Sequence, residues 1–195
     1  MLLSTFERTQ GFVGRAQPRL VCLDLQREYV VPGRPLYAEG AGGAAETCAT
    51  VLRHARAHGW RVIHVQRRQA EGLFERKGYF GAPIEGLRPL ISEPVFMRSG
   101  FSAFCNPDFA AEMRDALGED VFLIGFSLDR TCLATAFAAV DAGLSITVIT
   151  DATGPAGSAD ADAWARRQAA ERLLAPMARL VASHEVLAET QEIGA

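Results

Sequence analysis

The chain has 195 residues, 49% hydrophobic and 22% charged, a balance that excludes a disordered chain and supports one domain with a substantial core. Its formal net charge of −3 argues against a nucleic-acid backbone or an anionic membrane surface as the main partner. No apolar run reaches the roughly 18 residues that span a bilayer. No basic-then-apolar leader opens the chain.

Residues 1–18 are polar and glycine-containing, and are expected to form an arm on a single domain spanning 1–195. Arg19 to Leu25 is a buried strand with one anomaly, the carboxylate of Asp24 near its end. Gln26 to Gly40, with Pro32, Gly33 and Pro35, reads as a loop. A helix follows from about Ala41 to His58. Its buried face carries Ala44, Cys48, Val51, Leu52 and Ala55, and Gly59 ends it. Arg61 to Val65 is the second strand, in which His64 reads as a hydrogen-bonded core histidine.

Residues 67–93 have no strong period. They carry a basic cluster of Arg67, Arg68, Arg76 and Lys77, with Phe74, Tyr79 and Phe80 close by. Two readings stand: a solvated loop, or a lid that recognises an anionic substrate. Lys77 is the single lysine, so 19 of the 20 basic residues are arginine. Glu93 to Arg98 is a short third strand. Asn106 as N-cap and Pro107 as first helical residue start the next helix, with Phe109, Met113 and Leu117 on its inner face.

Val121 to Ile124 is a fourth buried strand that Gly125 interrupts. A tight connection through Ser127 and Asp129 leads into a helix from about Arg130, where Leu133, Ala136, Phe137 and Val140 share a face. Gly143 ends that helix. Ser145 to Thr150 is the fifth strand, ending at Asp151. A loop with Gly154, Pro155 and Gly157 precedes a helix from about Ala161 to Leu174. Residues 178–182 form a weak sixth strand, and a short helix runs through Leu187.

Strands alternating with helices predict an α/β fold: a three-layer α/β/α Rossmann-like sandwich with a mostly parallel six-stranded sheet. In such sheets ligands bind at the carboxyl ends of the strands. Asp24, Arg98 and Cys132 all fall on that rim. Cys132 lies in the first helical turn after a buried strand, where unpaired N–H groups and the helix dipole favour negative charge. Its thiol is expected to be acidified from about 8.5 toward roughly 3.5–7.5. The alternative is a buried cysteine acting as a small hydrophobe. The four cysteines, Cys22, Cys48, Cys105 and Cys132, contain no Cys-x-x-Cys pair and suit reduced thiols in a cytoplasm.

Four segments, in order, resemble the isochorismatase-like cysteine hydrolases, a superfamily that includes nicotinamidases, N-carbamoylsarcosine amidohydrolases, ureidoacrylate and biuret hydrolases, and isochorismatases. Leu20 to Gln26 (LVCLDLQ) is similar to the first strand ending in Asp-x-Gln. Arg98 to Phe104 (RSGFSAF) is similar to Lys-x-x-x-Ser-Ala-Phe. Gly125 to Ala136 (GFSLDRTCLATA) is similar to the Gly…Cys-x-x-Thr-Ala segment, with one extra residue between Gly and Cys. Val148 to Ala152 (VITDA) is similar to Val-x-x-Asp-Ala. The match covers about residues 18–187.

The resemblance implies a catalytic set of Asp24, Arg98 and Cys132, with Arg98 at the position of the family's lysine. Arginine keeps the charge but is a poor proton donor. The resemblance also implies an oxyanion site from the Leu128 and Cys132 amides and a cis peptide before the first of these. That peptide is Ser127–Leu128, with Phe126–Ser127 left open by the extra residue. Gln26, Tyr29, Phe104 and Ser127 are expected to line the substrate. The nicotinamidase-type metal ligands have no counterpart after Val65, so neither metal nor cofactor is expected. The implied activity is cysteine-dependent C–N hydrolysis of a small amide or carbamoyl compound by a cytoplasmic homo-oligomer, dimer or tetramer. Vinyl-ether hydrolysis through Asp24, and a non-catalytic binding protein of the same fold, are the alternatives.

Overall fold

The computed structural model describes residues 17–75, 78–155, 157 and 163–191. The N-terminal arm therefore lies almost wholly outside the described residues. The strands are β1 (Arg19–Leu23), β2 (Arg61–Arg67), β3 (Val95–Arg98), β4 (Val121–Phe126), β5 (Ile146–Gly154) and β6 (Arg179–Val181). The α-helices are α1 (Ala41–Ala57), α2 (Pro107–Arg114), α3 (Leu133–Asp141), α4 (Ala163–Leu174) and α5 (Ser183–Gln191). All six strands join one sheet in the order β3-β2-β1-β4-β5-β6, every pairing parallel. No helix of the described residues is long and apolar enough to cross a membrane.

The alternation of β1 splits the core into two layers. Leu20 and Cys22 face one side, with Cys48, Val51 and Leu52 of α1 and Val186 of α5. Val21 and Leu23 face the other, with Phe109 and Met113 of α2, Ala136 of α3 and Leu174 of α4. Successive strand residues point to opposite faces, so a strand buried on both sides is apolar throughout. This is the three-layer arrangement expected from the sequence. The chain winds outward in both directions from the β1–β4 boundary, where the strand order reverses. That boundary is where an open α/β sheet presents its ligand crevice.

Four local expectations change. Gly125 does not stop β4, which continues to Phe126. It sits at φ +121°, and a Cβ there would lie 1.9 Å from the Leu23 carbonyl oxygen. Glycine thus permits β1 and β4 to stay close while the β4–β5 register shifts at this point. β5 likewise runs past Asp151 to Gly154, where a Cβ would meet the Phe126 ring at 2.0 Å.

α2 ends at Arg114, so Leu117 is 59% exposed and leaves the inner face. α3 is rotated from its expected face. It buries Thr135, Ala136 and Ala139, while Leu133 and Phe137 border a surface hollow with Phe101. The helix begins after a wider turn, which shifts the face while Ala136 stays buried.

His64 is a buried core histidine, as its place in an apolar strand suggests. Its Nε2 lies 2.9 Å from Glu93 Oε2. Arg56 holds the same carboxylate through Nε and Nη2, each at 2.8 Å, and the Leu90 N–H donates to it at 2.8 Å. Burial pushes the His64 imidazole below its ordinary pKa, so Nε2–H donates to Glu93. Burial alone would raise the Glu93 carboxyl, but the Arg56 and Leu90 hydrogen bonds bring it below its usual range.

Replacing Glu93→Gln should cost about 1.5–3 kcal/mol in urea unfolding at pH 7, the range for hydrogen bonds to a charged group. The pH signs follow from linkage. His64 resists protonation when folded, so stability falls as pH drops below its unfolded value of about 6.5. Glu93 contributes stability above its unfolded value, and that contribution is lost as pH falls through its lowered folded one. Stability should decline from pH 7 toward pH 4, and the Glu93→Gln difference should shrink at the acid end.

Candidate active site

Asp24 follows β1 and adopts φ +48°, in the left-handed region that asparagine and aspartate tolerate better than other non-glycine residues. Its backbone N–H donates to Val65 O at 2.8 Å, so the turn is anchored to β2. The carboxylate is fully buried. Arg98, at the end of β3, grips it with two bonds: Nε donates to Oδ1 at 3.0 Å, and Nη2 donates to Oδ2. Arg98 Nη2 also donates to Thr131 Oγ1 at 2.8 Å, and Nη1 donates to Gly100 O. The fork is spent on the protein. It has no free edge for a substrate carboxylate: two of its N–H groups already take Asp24, and its side chain is 1% exposed.

Cys132 sits one residue after Thr131, fully buried. The connection from β4 is a π-turn over Leu128–Cys132, in which the Cys132 N–H donates to Ser127 O at 3.0 Å. The extra residue between Gly125 and Cys132 is taken up in this wider turn. The cis peptide is Phe126–Ser127. The expectation of Ser127–Leu128 is thus corrected by one position, because the additional residue enters the turn after Ser127.

The expected acidification of Cys132 is also corrected. Burial pushes its thiol well up, the Asp24 charge adds to this, and Arg98 opposes it. A thiolate without water is penalised more than the helix start can repay. Burial likewise pushes the Asp24 carboxyl above its ordinary range, against the pull of Arg98. At rest Cys132 is a thiol within the electrostatic reach of Asp24, whose carboxylate is a stronger base than usual.

The other expected site residues separate. Tyr29 is buried, donates to Asp24 Oδ2 at 3.3 Å, and stacks on Phe126 with ring centroids 5.1 Å apart. Ser127 is buried in the elbow. Phe104 is half-buried and meets Phe109 edge-on at 5.2 Å.

Gln26 braces the backbone instead of facing a ligand. Its Nε2 donates to Arg67 O at 3.1 Å and Gly81 O at 2.6 Å, and its Oε1 accepts from the Arg67 N–H at 2.9 Å. The stretch after β2 is therefore pinned over the site. Arg27 and Glu28 add backbone bonds to Ala82 O and Phe80 O, and Phe74 is buried. One hydroxyl escaped sequence reasoning, Thr131, which accepts from Arg98; Thr135, the threonine of the Cys-x-x-Thr-Ala segment, accepts from the Ala103 N–H at 3.0 Å through Oγ1. Among the described residues, no three His, Cys, Asp or Glu side chains converge as a metal cluster.

The isochorismatase domain model matches residues 18–185. The chain belongs to the isochorismatase family. It is similar to a maleamate amidohydrolase of Pseudomonas putida, 28% identical over 154 residues, covering 71% of this chain and 72% of the relative. An isochorismatase structure from Pseudomonas putida KT2440 superimposes with TM-score 0.75 at 26% identity, over 87% of this chain and 89% of that one. The N-carbamoylsarcosine amidase of Thermoplasma acidophilum shares the fold, with TM-score 0.71 at 21% identity, over 86% of this chain and 97% of that one. The present chain is an isochorismatase-family hydrolase.

Two outcomes test this site. Iodoacetamide near pH 7 should label the exposed Cys105 first, with Cys132 protected alongside the buried Cys22 and Cys48. Arg98→Met should lower unfolding stability by about 3–5 kcal/mol, the cost of leaving one buried charge unpaired. Arg98→Lys should lose less, because it keeps a cation beside Asp24.

Proposed function

We propose that the protein hydrolyses the C–N bond of a small amide or carbamoyl compound through a Cys132 thioester. One observation carries this reading. A carboxylate and a thiol, both buried, lie at the reversal of strand order, and Arg98 links Asp24 to Thr131, the residue before Cys132. The maleamate amidohydrolase relative supports an amide as the bond cleaved.

Asp24 takes the thiol proton as sulfur attacks the carbonyl carbon, so no free thiolate need accumulate. The C–S bond forms, the C–N bond breaks, and Asp24 returns the proton to the departing nitrogen. Asp24 then takes a proton from water, which attacks the thioester. The C–S bond breaks, the acid leaves, and the proton returns to Cys132. Arg98 fixes Asp24 and supplies charge, but it donates no proton near neutral pH. The Cys132 amide is an oxyanion donor in this scheme. Cys132 N–H would share its hydrogen with Ser127 O while holding the oxyanion.

A panel of small amides, ureides and carbamoyl compounds, quenched in acid and weighed intact, tests the proposal. Turnover should leave an acyl mass on wild type that is absent from Cys132→Ser. Asp24→Asn should lower kcat about 10²–10⁴-fold, the usual contribution of a positioned acid–base group. The acid limb of kcat/KM should lie above the ordinary aspartate pKa, because burial raises Asp24. Full activity in both variants would eliminate the thioester route.

A further inference from the structure

Arg67 is a cation beside this site whose Nε has no hydrogen-bond partner among the described residues. It closes β2 and lies in register with Arg98 of β3. Gln26 locks its backbone on both sides, at the N–H and at the carbonyl. The side chain therefore projects from a fixed point on the rim next to Asp24. Its guanidinium lies over the Phe74 ring, 5.3 Å from the centroid, and its charge acts on both Asp24 and Tyr29. Phe74 itself is buried against Tyr29, with centroids 5.8 Å apart. Arg67 thus lies beside the group formed by Phe74, Tyr29 and Asp24.

Its Nε is buried and finds no hydrogen-bond partner among the described residues. The neighbouring arginines are differently placed. Arg98 is spent on Asp24, Thr131 and Gly100, and Arg34 is paired with Glu28. A desolvated guanidinium N–H without an acceptor is unfavourable, and an acceptor delivered by a ligand removes that penalty. Stacking on an aromatic ring fixes the plane of the guanidinium and leaves its edge for in-plane acceptors. A carboxylate matches that edge with two parallel N–H···O bonds.

We propose that Arg67 is the specificity residue of the site, clamping a carboxylate carried by the amide substrate. The inference rests on the amide-hydrolase reading and narrows its substrate class to half-amides, molecules with one carboxylate and one carboxamide. Asp24 and Cys132 act on the carboxamide end. Arg67 holds the other end and takes no part in bond making.

The test compares wild type, Arg67→Met and Arg67→Lys on maleamate, fumaramate and succinamate, and on their methyl esters, in which the carboxylate is masked. For the half-amide the enzyme uses best, Arg67→Met should raise KM at least tenfold with little change in kcat. Arg67→Lys should recover part of the loss, because it restores the charge but not the fork. The masked esters should react poorly with wild type and equally poorly with all variants.

Calorimetry with maleate, fumarate and succinate gives a readout independent of turnover. Wild type should bind at least one of them, more weakly as salt rises, and Arg67→Met should not. Arg67-dependent diacid binding without hydrolysis of any amide would keep this inference and overturn the hydrolase reading. An unchanged KM for the half-amides in Arg67→Met, or no diacid binding by wild type, would overturn the inference. Melting curves of the three proteins establish that each is folded in these comparisons.

Discussion

A guanidinium and a carboxylate, both removed from water, hold the functional end of this protein together. Arg98 comes from β3, Asp24 from the end of β1, and Thr131 from the turn after β4. One planar group therefore ties three separated segments. Burying either charge alone would be very costly, and together each meets the other's requirement. The fork matters as much as the charge. An ammonium could face Asp24, but it could not address two carboxylate oxygens, a hydroxyl and a carbonyl in one fixed plane. Arginine at the position where the family resemblance implies lysine thus gives a stiffer frame without a proton transferable near neutral pH. In the proposed mechanism acid–base work then falls to Asp24.

The backbone around this pair is shaped by close approach. Gly125 lets β1 and β4 run close where a side chain would strike the Leu23 carbonyl. The π-turn after Ser127 takes up one more residue and brings Cys132 to the start of α3. Asp24 in a left-handed conformation starts the turn away from β1. These features cluster at the point where the strand order reverses. There the chain leaves β1 and β4 toward opposite edges, the place where open α/β sheets generally bind ligands. Gln26 then closes this end by fastening the β2 exit and the following loop through three backbone bonds.

Much of this was legible from residue type and order. Apolar runs alternating with 3.6-period stretches gave a parallel sheet covered on both faces, and three polar residues at strand ends marked one rim. Legibility failed where burial decides the outcome. Cys132 looked acidic by its place at a helix start, yet complete desolvation outweighs that effect. Leu133 and Phe137 looked like core by periodicity. The π-turn shifted the phase of α3, so the smaller Thr135 and Ala139 are buried instead. Gly125 looked like a strand stop, because a sequence shows that glycine is present but not which neighbour its missing side chain accommodates.

The sequence by itself determined the α/β class, the boundaries of most strands to within a few residues, and the candidate trio of Asp24, Arg98 and Cys132. These are local matters: periodicity, capping and the oddity of a charge in an apolar run all act within a few residues. Only the tertiary structure decided which partners each charge takes. Arg98 and Asp24 stand 74 positions apart in the chain, and nothing near Arg98 shows that its fork is occupied while Arg67 retains an unpaired N–H. Hydrogen-bond satisfaction and desolvation depend on every element packed around a group. They come into being only when the sheet has assembled and its strand ends have converged.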